Sequence, residues 1–230
     1  MLKIRQPEIS IIIPVWNEIK TVEHVVRTIH ELDVDKEIIV IDDYSTDGSR
    51  ELLKKLQPEL RLKLILHAKN KGKGAAVLNG AAHAKGKYMI VEDADSELDP
   101  QDILRMLHII NTDKVDMVAG SRLLRDKVNF VTKLARFITR IMLFICFGRS
   151  IKDPLCAYKL CKLNSFKSLH IESERFGLEI EWVVKALKKK WKIKELDIEY
   201  FPRGKKDGKK INLKDGIDIM SQILRLRFNK

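Results

Sequence analysis

The chain has 230 residues, of which 45% are hydrophobic, so it can build one α/β domain around an ordinary buried core. Lysine and arginine number 44 against 32 aspartate and glutamate, and the formal net charge of +12 favours an anionic partner such as a phosphate, a nucleic acid or an acidic lipid. Because Cys146, Cys156 and Cys161 form no CxxC pair, the composition excludes a cysteine-based zinc site, and we expect reduced, partly buried thiols.

The N-terminal residues 1–8 form a short polar start without the charged, apolar and cleavage regions of a secretory leader. The longest apolar run, residues 141–147, is far shorter than the roughly 20 residues that a membrane-spanning helix needs. We therefore expect a cytoplasmic protein whose contact with a membrane is peripheral, on the cytoplasmic face.

Short apolar runs alternate with longer segments of helical spacing through the first half of the chain. We predict five strands, at residues 9–15, 37–41, 62–66, 88–91 and 115–119. Four helices are predicted between them, at residues 21–32, 46–56, 74–84 and 101–111. Regular alternation of this kind predicts an α/β fold with an open, mostly parallel, twisted sheet and helices on both faces.

The second half of the chain is more helical. Residues 130–147 have the pattern of an amphipathic helix, with Lys133, Arg136 and Arg140 on one side and large apolar residues on another. Such a helix can lie in a membrane interface, where its cations meet lipid phosphates. Further predicted elements are a helix at 174–190, a strand at 193–201, a Gly- and Lys-rich loop at 203–210 and an amphipathic helix at 213–228.

Acidic side chains follow three of the predicted strands. Glu18 follows the first strand, Asp42 and Asp43 follow the second, and Asp93 and Asp95 follow the fourth. Ligands bind at the carboxyl ends of strands in such sheets, so these side chains should lie along one edge. Crowded carboxylates repel one another unless they bind a cation or ligand donors, and we therefore expect Mg²⁺ or Mn²⁺ here.

The segment Asp93-Ala94-Asp95 is the sharpest local signal. Two carboxylates at a strand end can bind a divalent ion, which would neutralise a nucleotide diphosphate. The same spacing also occurs in solvated turns, so the interpretation depends on the neighbouring acids.

Asp42 and Asp43 could accept hydrogen bonds from a base or a ribose. The alternative is that they are exposed residues before a helix-capping turn at 45–48. Residues 70–76 resemble a phosphate-binding turn but lack the P-loop spacing, and we interpret them as a helix start with small residues for close packing. Lys73 in this stretch is a candidate contact of the donor phosphates.

Taken together, these segments resemble the inverting glycosyltransferase family two, and within it the dolichol-phosphate mannose synthases and related polyprenyl-phosphate glycosyltransferases. The matching segments are residues 10–18, 41–43, 70–76, 93–95 with Pro100, and 120–122, extended by Asp153 and the loop at 203–210. Tyr44 stands where this family usually has glycine, and Glu97 where the mannose synthases often have glutamine.

The resemblance implies a Rossmann-like GT-A fold in a single domain, residues 1–230. Residues 1–122 would bind the nucleotide sugar, and residues 123–230, with their amphipathic helices, would bind the acceptor. The implied activity is transfer of mannose or glucose, with inversion, from a GDP- or UDP-sugar to dolichyl or polyprenyl phosphate at a peripheral membrane surface. A separate membrane-anchoring subunit is left open as a partner.

The resemblance also assigns roles by position. The nucleotide-sugar contacts would be Pro14, Val15, Trp16, Asn17, Glu18, Asp42, Asp43, Lys73, Asp93, Ala94 and Asp95. The metal ligands would be Asp93 and Asp95, with Glu97 as a further ligand. The acceptor phosphate would face Arg122, Arg136, Arg203, Lys209 and Lys210. The catalytic residues would be Asp95, Arg122 and Asp153.

Three alternatives remain at this point. A transferase acting on a soluble saccharide would need a carboxylate base, for which Asp153 is the candidate. A sugar nucleotidyltransferase would need a Gly-rich opening, which is missing between Pro14 and Glu18. A nucleic-acid binder could use the positive charge, but the basic residues are dispersed and no recognisable module accompanies them, so we expect no nucleic-acid partner.

Overall fold

The computed structural model describes residues 6–122, 130–174, 177–203 and 213–228, with all of their side chains except those of 130–132 and 213–217. The strands in this part of the chain are β1 Ile9–Val15, β2 Lys36–Asp42, β3 Lys63–Leu66, β4 Tyr88–Val91, β5 Met117–Arg122, β6 Lys159–Lys162 and β7 Ile193–Ile198. The helices are α1 Val22–Glu31, α2 Ser49–Leu60, α3 Lys73–His83, α4 Gln101–Thr112, α5 Phe130–Phe147, α6 Leu163–Lys167, α7 Leu178–Lys188 and α8 Leu213–Phe228.

The strands form one sheet in the order β3-β2-β1-β4-β6-β5-β7. The pairs β1/β2, β1/β4, β2/β3 and β5/β7 are parallel, and only β6 runs antiparallel to its neighbours β4 and β5. The predicted open, mostly parallel sheet is therefore confirmed. Because the chain leaves β1 towards β2 and later returns to β4 on its other side, a crevice is expected between the carboxyl ends of β1 and β4.

Helices cover both faces of the sheet, as predicted. Alternate residues of β1 point to opposite sides. Ile11 and Ile13 join the core formed with α1, α2 and α4, whereas Ile12 joins the core formed with α3 and the C-terminal helices α5 to α8. Both halves of the chain contribute strands to this one sheet.

Helix α3 approaches the sheet and the segment before α7 unusually closely. A Cβ atom on Gly80 would lie 2.6 Å from Cγ2 of Ile12 and 2.7 Å from Cδ1 of Ile41. A Cβ atom on Gly74 would lie 2.0 Å from the carbonyl oxygen of Ser173. The interpretation of residues 70–76 as a closely packed helix start is thus confirmed.

Three differences from the predicted elements have a structural cause. Strand β6 and helix α6 were not predicted, because β6 has only four residues and begins with a buried lysine, Lys159. Helix α7 begins later than predicted, because the Glu181 carboxylate accepts hydrogen bonds from the backbone N–H groups of Glu172 and Ser173. Strand β7 ends before Tyr200, which forms an isolated bridge instead.

All three cysteines are free thiols within the described residues, with Cys156 and Cys161 buried and Cys146 partly buried, as expected. Among the described helices, none combines the length and the apolar character that crossing a bilayer requires.

Candidate active site

The loops that follow β1, β2 and β4 meet at one edge of the sheet, as the sequence predicted. The backbone N–H of Asn17 donates to Ser45 Oγ at 3.0 Å, and the backbone N–H of Thr46 donates to Asn17 Oδ1 at 2.8 Å. The hydroxyl of Thr21 donates to the carbonyl oxygen of Ala94 at 2.7 Å. We call these three joined loops the donor edge.

Each loop of the donor edge contains one non-glycine residue in the left-handed backbone region. The φ angles are 56° at Asn17, 67° at Tyr44 and 57° at Ser96. Such conformations cost on the order of 1–3 kcal/mol each and cluster at functional sites. The φ of Tyr44 is one that glycine adopts without steric cost.

Asp42 is buried and bound by protein groups. Arg50 Nε donates to Asp42 Oδ2 at 2.6 Å, and the backbone N–H of Ser45 lies 3.3 Å from both carboxylate oxygens. Arg50 also lies over the ring of Tyr44, 5.5 Å from its centroid. Asp42 therefore shapes the turn beneath the exposed Tyr44.

Asp43 is also buried and holds the turn before α3. Its Oδ1 lies 2.8 Å from His67 Nδ1 and accepts from the backbone N–H of Lys71 at 2.9 Å. Its Oδ2 accepts from the backbone N–H of Gly72 at 2.7 Å. The alternative that Asp42 and Asp43 are exposed residues is wrong, and their predicted contact with a nucleoside stays a prediction.

Two predicted contacts of the nucleotide sugar point away from the edge. The side chains of Val15 and Ala94 are buried in the core with α1 and α4. Strand alternation sends Val15 inward, and its carbonyl oxygen accepts from the backbone N–H of Asp43. These two side chains therefore do not face the edge, and the predicted contact of Val15 and Ala94 with the nucleotide sugar stays a prediction. Trp16, by contrast, is 57% exposed and Tyr44 45% exposed.

The carboxylates of Asp93 and Asp95, which follow β4, contact different protein groups. Lys73 Nζ lies 2.6 Å from Asp93 Oδ1, and Asp95 Oδ1 accepts from the backbone N–H of Glu97 at 3.2 Å. Burial alone would lower the pKa of Lys73, but Asp93 and Glu179 raise it above its ordinary value. The charged ammonium of Lys73 is therefore held against Asp93, which is predicted to bind the metal.

Glu97, the third predicted metal ligand, accepts hydrogen bonds from two other residues. Its carboxylate accepts from the hydroxyl of Tyr200 at 3.2 Å and from the backbone N–H of Arg203 at 3.2 Å. It thereby tethers the segment after β7, and its predicted role as a metal ligand stays a prediction. In the described part of the chain, no three His, Cys, Asp or Glu side chains form a ready-made metal cluster.

Arg203 closes over the donor edge. Its Nη2 donates to Glu18 Oε2 at 2.6 Å, and its Nε donates to the carbonyl oxygen of Asp95 at 2.9 Å. The structure thus joins Arg203 to two donor-edge loops, whereas the sequence assigned it to the acceptor phosphate. Lys209 and Lys210, predicted for the same role, lie outside the described residues.

A second charged cluster, which we call the acceptor side, contains Arg122, Arg136 and Asp153. Arg122 donates to the buried Asp153 carboxylate from Nε at 2.7 Å and from Nη2 at 3.0 Å. Arg136 Nη1 lies 3.6 Å from Asp153 Oδ2 and donates to the carbonyl oxygen of Arg122 at 3.1 Å. The Arg122 guanidinium also lies 5.3 Å from the centroid of the Tyr200 ring, which connects the two clusters.

Asp153 is poorly suited to accept a proton. Burial alone would raise its pKa, but Arg122 and Arg136 hold the pKa below its ordinary value. The geometry therefore does not support the predicted catalytic base, because a carboxylate clamped by two guanidinium groups favours its charged form. Asp153 instead fixes the two arginines.

Sequence reasoning missed three buried polar groups beside these clusters. The hydroxyl of Tyr158 donates to Glu92, and burial raises the pKa of Glu92 well above its ordinary value. Lys159 is fully buried, its Nζ donates to the carbonyl oxygen of Cys156, and burial lowers its pKa. Glu92 directly precedes the recognised acids, whereas nothing in the local sequence marks Lys159.

Known proteins share both the sequence pattern and the fold. A dolichyl-phosphate beta-glucosyltransferase of Dictyostelium discoideum is 28% identical over 96% of this chain and 74% of its own length. A dolichyl-phosphate beta-glucosyltransferase of Saccharomyces cerevisiae is 30% identical over 83% of this chain and 64% of its own length. Glucosyl-3-phosphoglycerate synthase from Mycobacterium tuberculosis, solved with Mn²⁺, UDP and phosphoglyceric acid, superposes with a TM-score of 0.76 at 17% identity, covering 97% of this chain and 80% of that one.

The sequence profile named Glycosyl transferase family 2 matches residues 10–176. This match spans more than half of the chain and includes the donor edge as well as Arg122, Arg136 and Asp153. The chain therefore belongs to glycosyl transferase family 2.

Proposed function

We propose that this glycosyltransferase moves a hexose from a nucleoside diphosphate sugar to a dolichyl or polyprenyl phosphate, with inversion at the anomeric carbon. The relatives named dolichyl-phosphate beta-glucosyltransferase favour glucose, with UDP-glucose as the first donor to test. The observation that carries the proposal is the acceptor side, where two arginines share the single carboxylate of Asp153. That cluster keeps surplus positive charge, which suits an anionic nucleophile.

The donor edge supplies the groups that a nucleotide sugar needs. The exposed rings of Trp16 and Tyr44 offer apolar surfaces for the nucleoside. Asp93 and Asp95 fit a hard divalent cation, because carboxylate oxygens are its preferred ligands. Bound Mg²⁺ or Mn²⁺ would stabilise the negative charge of the departing nucleoside diphosphate.

The acceptor side makes a carboxylate base unnecessary. A phosphate monoester is already anionic near neutral pH, so the nucleophile needs orientation more than deprotonation. The planar guanidinium groups of Arg122 and Arg136 match phosphate oxygens, and Asp153 holds both groups in place. A soluble saccharide hydroxyl would need the base that the clamped Asp153 does not supply.

We further propose that α5 rests on the cytoplasmic face of an anionic membrane. Its outward face carries six exposed apolar residues: Leu134, Phe137, Ile138, Ile141, Phe144 and Ile145. Exposed Lys133 and Arg140 adjoin this face, whereas Arg136 turns inward to the carbonyl oxygens of Lys152 and Arg122. An apolar face bordered by cations suits a lipid interface. The membrane-anchoring subunit left open by the sequence stays a prediction.

A transfer assay tests the proposed function. The purified protein is incubated with radiolabelled UDP-glucose or GDP-mannose, Mn²⁺ and a short-chain polyprenyl phosphate. We expect a lipid-extractable glycosyl phosphate with the configuration opposite to that of the donor. Transfer only to water-soluble acceptors such as saccharides or 3-phosphoglycerate, with no lipid product, would contradict the proposal.

A further inference from the structure

Lys73 connects three separate elements through one ammonium group. Its Nζ lies 2.6 Å from Asp93 Oδ1, after β4, and 2.7 Å from Glu179 Oε1, in the first turn of α7. Lys73 itself begins α3. Glu179 lies beyond residues 10–176, the part of the chain that the family profile matches.

Glu179 stands on a rigid support. The segment before α7 is fixed to α3, because the backbone N–H of Ala75 donates to the carbonyl oxygen of Glu174 at 2.9 Å. The same segment is fixed to α8, because Gln222 Nε2 donates to Ser173 Oγ at 2.7 Å and to the carbonyl oxygen of Gly177 at 3.0 Å. The Glu179 carboxylate is therefore presented to Lys73 by packed structure.

The proposed donor site places two demands on Asp93. A divalent ion needs its carboxylate, and Lys73 already occupies that carboxylate. An ammonium has three N–H donors and can keep one anionic partner while it turns others elsewhere. A second fixed carboxylate lets Lys73 loosen its contact with Asp93 without being left partly buried and unpaired, a state that is costly.

We propose that Glu179 is a positioning residue, which holds Lys73 at the donor edge while leaving Asp93 available to the metal-bound diphosphate. The inference rests on the proposed donor site. Without Glu179, Lys73 would pair with Asp93 alone and compete with the divalent ion.

The substitution Glu179→Gln tests this inference through the sign of its effect. Removing a negative charge beside a diphosphate site would, by direct repulsion alone, make the nucleotide bind more tightly. Through Lys73, the same substitution should weaken Mn²⁺-dependent binding of UDP by about tenfold and raise the Mn²⁺ concentration required. Isothermal calorimetry with UDP at several Mn²⁺ concentrations measures both. In steady-state assays the donor KM should rise with little change in kcat.

Three variants make the test specific. Glu172→Gln removes the same charge from an exposed side chain nearby and should bind UDP like the wild type. Glu179→Asp keeps the charge and should recover part of the affinity. In a Lys73→Gln background, Glu179→Gln should cause no further weakening, because the residue would act only through Lys73.

The outcomes separate this inference from the proposed function. If the wild-type protein binds neither UDP nor GDP in the presence of Mn²⁺, the proposed donor site itself is contradicted. If the wild-type protein binds UDP and Glu179→Gln binds it equally well or more tightly, only the proposed role of Glu179 is overturned. The same conclusion follows if Glu179→Gln weakens UDP binding as much in the Lys73→Gln background as in the wild type. Thermal unfolding without ligand identifies a folding defect, and Glu179→Asp then provides the decisive comparison.

Discussion

The donor edge and the acceptor side balance their charges differently. At the donor edge three carboxylates each have a separate cation: Asp42 has Arg50, Asp93 has Lys73, and Glu18 has Arg203. On the acceptor side Arg122 and Arg136 share the single carboxylate of Asp153. On the proposed function, the donor edge would therefore need the added positive charge of a metal ion to bind a diphosphate, whereas the acceptor side would bind a phosphate without one.

The largest effect is expected from removing the counter-ion that the acceptor side shares. Asp153→Asn leaves Arg122 and Arg136 without their buried carboxylate, and the free energy of unfolding should fall by about 3–5 kcal/mol. Urea unfolding followed by circular dichroism measures the change. Asp197→Asn, in the exposed pair with Lys152, is the matched control and should cost at most about 1 kcal/mol. Wild-type stability in Asp153→Asn would show that the arginines do not depend on this carboxylate.

At the donor edge, Asp93→Ala and Asp95→Ala should each lower kcat/KM by about a hundredfold or more, because the leaving diphosphate loses its metal ion. The change is measured in Mn²⁺-dependent transfer assays. Asp33→Asn removes an exposed carboxylate outside the site and should leave the rate unchanged. Either alanine variant working at the normal rate would count against the metal assignment.

A substitution that keeps the charge sharpens the comparison further. Arg122→Lys retains a cation on the acceptor side but loses the two-pronged contact, so the acceptor KM should rise about ten- to a hundredfold. The donor KM should stay near the wild-type value, because donor-edge contacts are untouched. Arg105→Lys is the control, because the Arg105 side chain is exposed although its partner Asp102 is buried. An increase confined to the donor KM would contradict the assignment of Arg122 to the acceptor side.

The smallest effect is expected on the outer face of α5. Phe144 is 62% exposed and Ile145 75% exposed, so replacing both with serine should change the free energy of unfolding by no more than about 0.5 kcal/mol per site. Flotation with phosphatidylserine vesicles should nevertheless weaken by about tenfold or more, since both side chains would enter the lipid. Leu66→Ser changes an exposed apolar residue at the edge strand β3 and should float normally. Undiminished flotation of the double variant would exclude α5 as the docking face.

The first half of the fold could be predicted because its pattern is local. Strands β1 and β4 match their predicted bounds, since each is a short, continuous apolar run. The meeting of Asp42, Asp43 and Asp93 at one edge followed from parallel strands sharing their carboxyl ends.

The remaining features depend on contacts between distant residues. Strand β6 escaped prediction because a buried lysine is rare, and Lys159 is recognisable as buried only once its neighbouring strands are placed. Asp153 looked like a base until Arg122, 31 positions earlier in the chain, was seen to clamp it. No local sequence pattern marks Glu179, because its proposed role depends on its contact with Lys73.

The most direct measurement is anomalous scattering from Mn²⁺ in crystals grown with UDP. The account predicts one strong peak between the carboxylates of Asp93 and Asp95, in contact with the diphosphate oxygens. Bound UDP with no peak there, or with Mn²⁺ at another surface, would contradict it.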